Sequence, residues 1–279
     1  MAMADADGPQ SNRPQERGLD LQNLPFLRKD SLILSALLLF YFVVCPSFVV
    51  QASEQHRNII CRPEVLIKHR DSLTNRLRSI TGWNSLGFDA DGALSLGNSN
   101  STSGGSSSAR DLLTLATASQ FVFVLEDASD RSDVVFARVT EGRWTHDAAG
   151  KPPVQIILVD FTDFTHVIGD SEALASFNEG WAVLHEIAHV VHDSVDTENG
   201  DEVGECEGLI NKMRRECGLA ERVEYFFKYF PAQENSSFQA RFVRIAFERQ
   251  TTRKKKRLWV MWDGTLVGGL DASTQVVRN

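Results

Sequence analysis

Two histidines and a glutamate, His185, Glu186 and His189, stand at a spacing that can hold and use a metal ion. They lie in Trp181-Ala-Val-Leu-His185-Glu186-Ile-Ala-His189-Val-Val-His192-Asp193, where apolar residues recur at helical intervals. Four residues span just over one helical turn, so both imidazoles leave the same face. Two ring nitrogens so placed can each reach one zinc ion at about 2 Å. Glu186 projects beside them, where it can take a proton from a zinc-bound water. The chemistry suggested is hydrolysis, most often of a peptide bond. A helix is expected over about 172–195, capped by Ser171. Leu174, Phe177, Trp181, Leu184, Ile187, Ala188 and Val191 give it the broad apolar surface that a buried active-site helix needs.

A catalytic zinc takes three protein ligands and keeps a position for water. The pattern that adds a glycine turn and a final His or Asp six residues after the second histidine is absent. His192 stands where that glycine would be, and Asp196, seven residues on, is a weaker alternative. His192, one turn past His189, suits a supporting or oxyanion-binding role better than ligation. A second helix is expected to follow the loop beginning at Asn199, with Val203, Cys206, Leu209, Ile210, Met213 and Cys217 as its apolar stripe. A carboxylate from this helix can complete the site. Glu205 is the first choice, with Glu202 and Glu207 as alternatives. On the helical wheel Glu202 falls nearest the stripe, and Glu205 and Glu207 lie farther out on its two flanks.

The motif helix and the later Ile210-Asn-Lys-Met-Arg-Arg-Glu-Cys-Gly-Leu219-Ala-Glu-Arg222-Val-Glu-Tyr225 together resemble the NleD-like effector and toxin metallopeptidases of bacteria. The resemblance spans about 110–230, with its strong motifs within 181–225. It implies a zincin-like domain with His185 and His189 as zinc ligands and Glu186 as catalytic base. It matches His192, Asn211, Arg214, Glu216, Gly218, Leu219, Arg222 and Tyr225 to accompanying positions. Beside His192, Tyr225 is a second candidate oxyanion donor, though an aromatic residue ending a helix more often packs. The chain departs from the family in a shortened segment between the two helices, where the acidic ligand normally lies, and in Cys217 and Ala220 for the usual Leu and Pro.

The 279 residues, 42% hydrophobic and 24% charged, suit one sizeable globular domain with appendages. A net charge of −8 argues against nucleic acid as a partner. The basic run Arg253-Lys-Lys-Lys-Arg257 reads as a solvated hairpin tip between apolar stretches. Four cysteines make no disulfide scaffold. Cys206 and Cys217, about 16 Å apart along one helix, read as small core residues.

Residues 1–30 read as a disordered polar leader. Residues 31–52 are uncharged and apolar, long enough for a transmembrane anchor through 32–50, or alternatively a cleaved signal peptide. Either reading puts the domain of 53–279 at the cell membrane or outside the cytoplasm. Within that domain helices are expected in 53–80 and over 109–118, the latter capped by Ser108. Strands are expected at 121–125 and 154–159, the second a possible substrate-binding edge strand. A β-hairpin should occupy 238–268. The class is α+β. The leading function is a zinc-dependent metallopeptidase acting on a protein or peptide substrate. The alternative is a membrane-tethered, catalytically inactive zincin-fold binding protein.

Overall fold

A computed structural model describes residues 57–97, 101–129, 131–146, 148–198, 202–229, 241–251 and 254–267. All belong to one unit, Gln55–Asn279. The polar leader and the apolar segment 31–52 lie outside the described residues. Among those described, no helix is long and apolar enough to cross a membrane.

The order is mixed α and β. It begins with strand β1 (Ile59–Cys61), helix α1 (Ile67–Thr81), the small pair β2 (Gly87–Phe88) and β3 (Leu94–Ser95), and helix α2 (Ser107–Ala118). Strands β4 (Val122–Asp127), β5 (Ala137–Gly142), β6 (Val154–Val159) and β7 (Ile168–Gly169) follow. Next come helices α3 (Ser171–Ala175), α4 (Glu179–His192) and α5 (Gly204–Glu216). Last are β8 (Glu221–Arg222), β9 (Lys228–Tyr229), β10 (Phe242–Gln250) and β11 (Lys255–Asp263).

One sheet has the order β1-β4-β6-β5, with β1, β4 and β6 parallel and β5 antiparallel to β6. Phe123, Leu125, Ile157 and Val159 of this sheet, Leu73 and Leu77 of α1, Leu112 and Leu113 of α2, and Trp181, Leu184 and Ile187 of α4 share one buried core. The second sheet is the expected hairpin, β10 with β11, flanked by β7, β8 and β9. Its Val243, Phe247, Val260 and Trp262 form another core with Phe136 and Phe227. The basic run sits at the hairpin turn, where Lys255 and Lys256 are exposed.

Several expectations shift. The segment 53–80 opens with a strand, and its helix begins only at Ile67, leaving Val65 and Leu66 ahead of it. Helix α2 is capped by Ser106, not Ser108, because the Ser106 hydroxyl accepts from the Ala109 N–H. Strand β6 lies between β4 and β5, so the edge strands are β1 and β5. The continuous helix over 172–195 is instead α3 and α4. Asn178 separates them: its extended backbone and its side chain, which accepts from the Gly180 and Trp181 N–H groups, start a new helix. Gly180 lets that start press against α1, since a Cβ there would lie 2.7 Å from the Arg76 Cβ. Each fully buried large side chain of α4 is worth about 1.5–3 kcal/mol, against about 1 kcal/mol for a cap. Packing therefore fixes the position of α4, and the cap fixes its first residue. Asn178→Ala should lower unfolding stability by about 1 kcal/mol, read from denaturant midpoints. No change would show the cap to be dispensable.

Candidate metal centre

Helix α4 ends where Asp193 turns left-handed, at φ 49° and ψ 35°. A short polar residue tolerates this conformation, and here it does what a glycine would do. The reversal carries the chain back beside the helix. Ser194 seals the turn, its hydroxyl donating to the Ala188 carbonyl (3.1 Å) and its own carbonyl accepting from His189 Nδ1 (2.7 Å). Asp196 then arrives opposite the two histidines.

Two imidazole nitrogens and one carboxylate meet there. His185 Nε2 and His189 Nε2 are 3.1 Å apart. Asp196 Oδ1 is 3.2 Å from His185 Nε2, and Oδ2 is 3.3 Å from His189 Nε2. Cys206, in the first turn of α5, adds its sulfur, so that one ligand atom from each of His185, His189, Asp196 and Cys206 lies within 4.8 Å of the others. This cluster could hold a metal ion.

The tautomers follow from the partners. The Ser194 carbonyl can only accept, so His189 Nδ1 carries hydrogen. His185 Nδ1 faces the Glu207 carboxylate at 3.3 Å and carries hydrogen too. In the neutral rings both Nε2 atoms then aim lone pairs at one point, beside a carboxylate. Asp196 Oδ1 is buried with no hydrogen-bond partner. That convergence requires a positive charge, either a proton or a metal cation. The Asp196 carboxylate, then Cys206, accordingly push the His189 pKa up to about 10. Burial acts against a charge on His185, yet Asp196, Cys206 and Glu207 outweigh it and hold its pKa well above 6.5. Burial would raise Asp196, but the two histidines and Tyr225 bring it down. Burial likewise opposes a Cys206 thiolate, and the histidines lower its pKa all the same.

A pH dependence follows for the metal-free protein. His185 and His189 have folded pKa values above the ordinary 6.5. Their contribution to stability is complete below pH 6.5 and is lost as pH rises toward about 10. Cys206, lowered from 9.0, works in the opposite direction, but one thiol is outweighed by two histidines. Denaturant midpoints should fall between pH 6.5 and 8.5, and saturating metal should flatten the decline. A midpoint that rises over this range would count against these protonation states.

Glu186 is buried beside the histidines. Burial raises its pKa, and His185 and His189 pull it back. Its Oε2 accepts from the Val139 N–H of edge strand β5 at 2.8 Å. A cavity of about 320 Å³ runs past these groups, with Ala137 and Arg138 of β5 on one side and Phe136, Phe177 and Phe227 at its apolar end.

Of the three expected carboxylates, Glu202 and Glu205 are exposed and are not brought to the cluster. Glu207, placed on a flank by the helical wheel, is 1% exposed. Its face is covered by the segment after α5. Arg214 and Arg222 both pair with it, and Arg214 also bonds Asn211 and the Ser176 carbonyl. These arginines hold Glu207 well below the usual carboxylate range in spite of its burial. Tyr225 does come to the site. Its hydroxyl donates to Asp196 Oδ2, and its ring stacks 6.2 Å from that of His185. His192 is exposed at the end of α4 and does not line the cavity. Cys206 is the core residue its place in the apolar stripe predicts, and it lies at the cluster as well; Asp196, the weaker alternative on spacing, is the carboxylate that faces both histidines. The signal for Asp196 was Asp193, three residues before it, in a position that needs a left-handed turn.

Comparisons with protein-family models, with curated proteins and with solved structures find no match.

Proposed function

We propose that the protein is a zinc-dependent peptidase with His185, His189 and Asp196 as metal ligands. The observation that carries this reading is that the two imidazole Nε2 atoms lie 3.1 Å apart with the Asp196 carboxylate against both, Oδ1 at 3.2 Å from His185 and Oδ2 at 3.3 Å from His189. Ligands at 2.0–2.1 Å around a tetrahedral ion are separated by about 3.3 Å. Two imidazoles favour zinc over calcium or magnesium, which prefer all-oxygen sites. Bound there, zinc would polarise a substrate carbonyl and bring the pKa of a water toward 7.

The residues of the chain supply the rest. Glu186, its pKa already raised, would accept the proton of the attacking water and return it to the leaving amine. The Val139 N–H engages Oε2 and so fixes how the carboxylate faces the metal site. Glu207 orients the His185 ring through Nδ1, as carboxylates do behind metal-binding histidines. The Tyr225 hydroxyl is committed to Asp196, which makes it a positioning group for that ligand more than an oxyanion donor.

A peptide substrate is supported by β5, which is paired on one side only in its sheet and whose first residues, Ala137 and Arg138, line the cavity. An extended chain could add to it as a further strand. The resemblance to NleD-like zincins adds support, because its matched Arg214 and Arg222 pair with Glu207, Asn211 bonds both arginines, and Tyr225 donates to Asp196. With the apolar segment 31–52 as anchor or cleaved signal, such a peptidase would act at the membrane or beyond it.

The test is metal analysis of the purified full chain. About one zinc per chain is expected in the wild type, with affinity sharply weakened in His189→Ala and Asp196→Ala. Zinc-free wild-type protein after reconstitution would overturn the proposal, and undiminished zinc affinity in Asp196→Ala would overturn the ligand set.

A further inference from the structure

We propose that Cys206 is a fourth ligand of this centre, closing in the resting protein the position that hydrolysis needs for water. The inference rests on the metal-site reading above and adds a regulatory state to it.

Asp196 and Cys206 are clamped together by backbone packing. Gly204 opens α5 with φ +71°, and a Cβ there would lie 2.7 Å from the Thr197 nitrogen. The Cys206 N–H also reaches the Val195 carbonyl, at 3.5 Å. This close approach of the 195–197 segment to the start of α5 delivers the sulfur to the same point as the carboxylate. The sulfur is fully shielded from bulk water, with Cys206 0% exposed, and it has only a weak bond to the His185 carbonyl at 3.3 Å. All four ligand atoms lie within 4.8 Å of one another, against roughly 3.6 Å between sulfur and nitrogen on a tetrahedral zinc. A side-chain torsion of Cys206 is enough to adjust the sulfur within this cluster.

Two histidines, a carboxylate and a thiolate make a complete tetrahedral set, which is the composition of a closed site. Ligation forms one metal–sulfur bond, and the thiol proton passes to solvent. Opening breaks that bond, the sulfur regains a proton, and the vacated position becomes available to water. The peptidase would then be latent until something at the cavity draws Cys206 away.

Cobalt(II) added to the metal-free full chain tests this directly. The wild type should take up about one equivalent and show sulfur-to-cobalt charge-transfer absorption in the near ultraviolet. Cys206→Ser should still bind one cobalt, with visible d–d bands, but lose the charge-transfer absorption. X-ray absorption on the zinc-loaded wild type, which needs no variant to fold, should show one sulfur at about 2.3 Å. Stoichiometric cobalt without charge transfer, no sulfur shell, or a charge-transfer band that survives in Cys206→Ser would overturn the inference and leave the metal centre standing. Failure of the wild type to bind cobalt or zinc would overturn the metal centre itself.

Discussion

Glu186→Gln should leave the metal in place and cut peptide hydrolysis by about 10²–10⁴-fold, the range typical of a lost general base. The substitution is nearly isosteric. A glutamine oxygen can still accept from the Val139 N–H, so the link to β5 at 2.8 Å need not break. What disappears is a group able to take a proton, at a position where burial has raised the carboxyl pKa. The comparison requires an active wild type on a cleavable peptide, with metal content measured in both proteins. A variant that keeps both its metal and its full activity would remove Glu186 from the mechanism and return it to a packing role against the edge strand.

Glu207→Ala should be the most destabilising single change at the centre. The glutamate is 1% exposed and lies between Arg214, Arg222 and His185. Removing it leaves two guanidinium groups in the interior without their shared anion. Breaking a buried pair in this way costs about 3–5 kcal/mol, which lowers the Tm of a domain this size by on the order of 10 °C. The His185 ring also loses its orienting partner, so zinc affinity should fall about 10–100-fold. Glu205→Ala and Glu202→Ala should change stability by no more than about 0.5 kcal/mol, as exposed residues do. Thermal unfolding and competitive zinc titration on the three variants would separate these roles. Equal effects from Glu205→Ala and Glu207→Ala would contradict the burial described here.

What the residues announced, and what they concealed, divides along a physical line. The motif helix, its paired imidazoles, strands β4 and β6 and the terminal hairpin were legible, because each is written in local periodicity. The break at Asn178 was hidden because Leu174 and Phe177 continue the apolar rhythm across it. The position of β6 inside the sheet was hidden because pairing order is a long-range property. At the centre, the apolar stripe of α5 accounts for Cys206 but not for Glu207. Glu207, Asn211 and Arg214 stand at intervals of four and three, a second coherent face. That face is buried by polar partners arriving from Arg222 and Tyr225, which a hydrophobic pattern does not register. Glu216, matched by the resemblance, turns out to serve elsewhere: its carboxylate binds Ser106, Ser107 and Ser108 at the start of α2.

His185 and His189 ride on a helix packed into the main core. Asp196 is held from two other sides, by the Tyr225 hydroxyl and by the packing of 195–197 on the start of α5. The donors so gathered mix two imidazoles and a carboxylate with a thiol. Their softness would set the choice among metals, so a thiophilic ion such as cadmium would compete with zinc here while calcium would not.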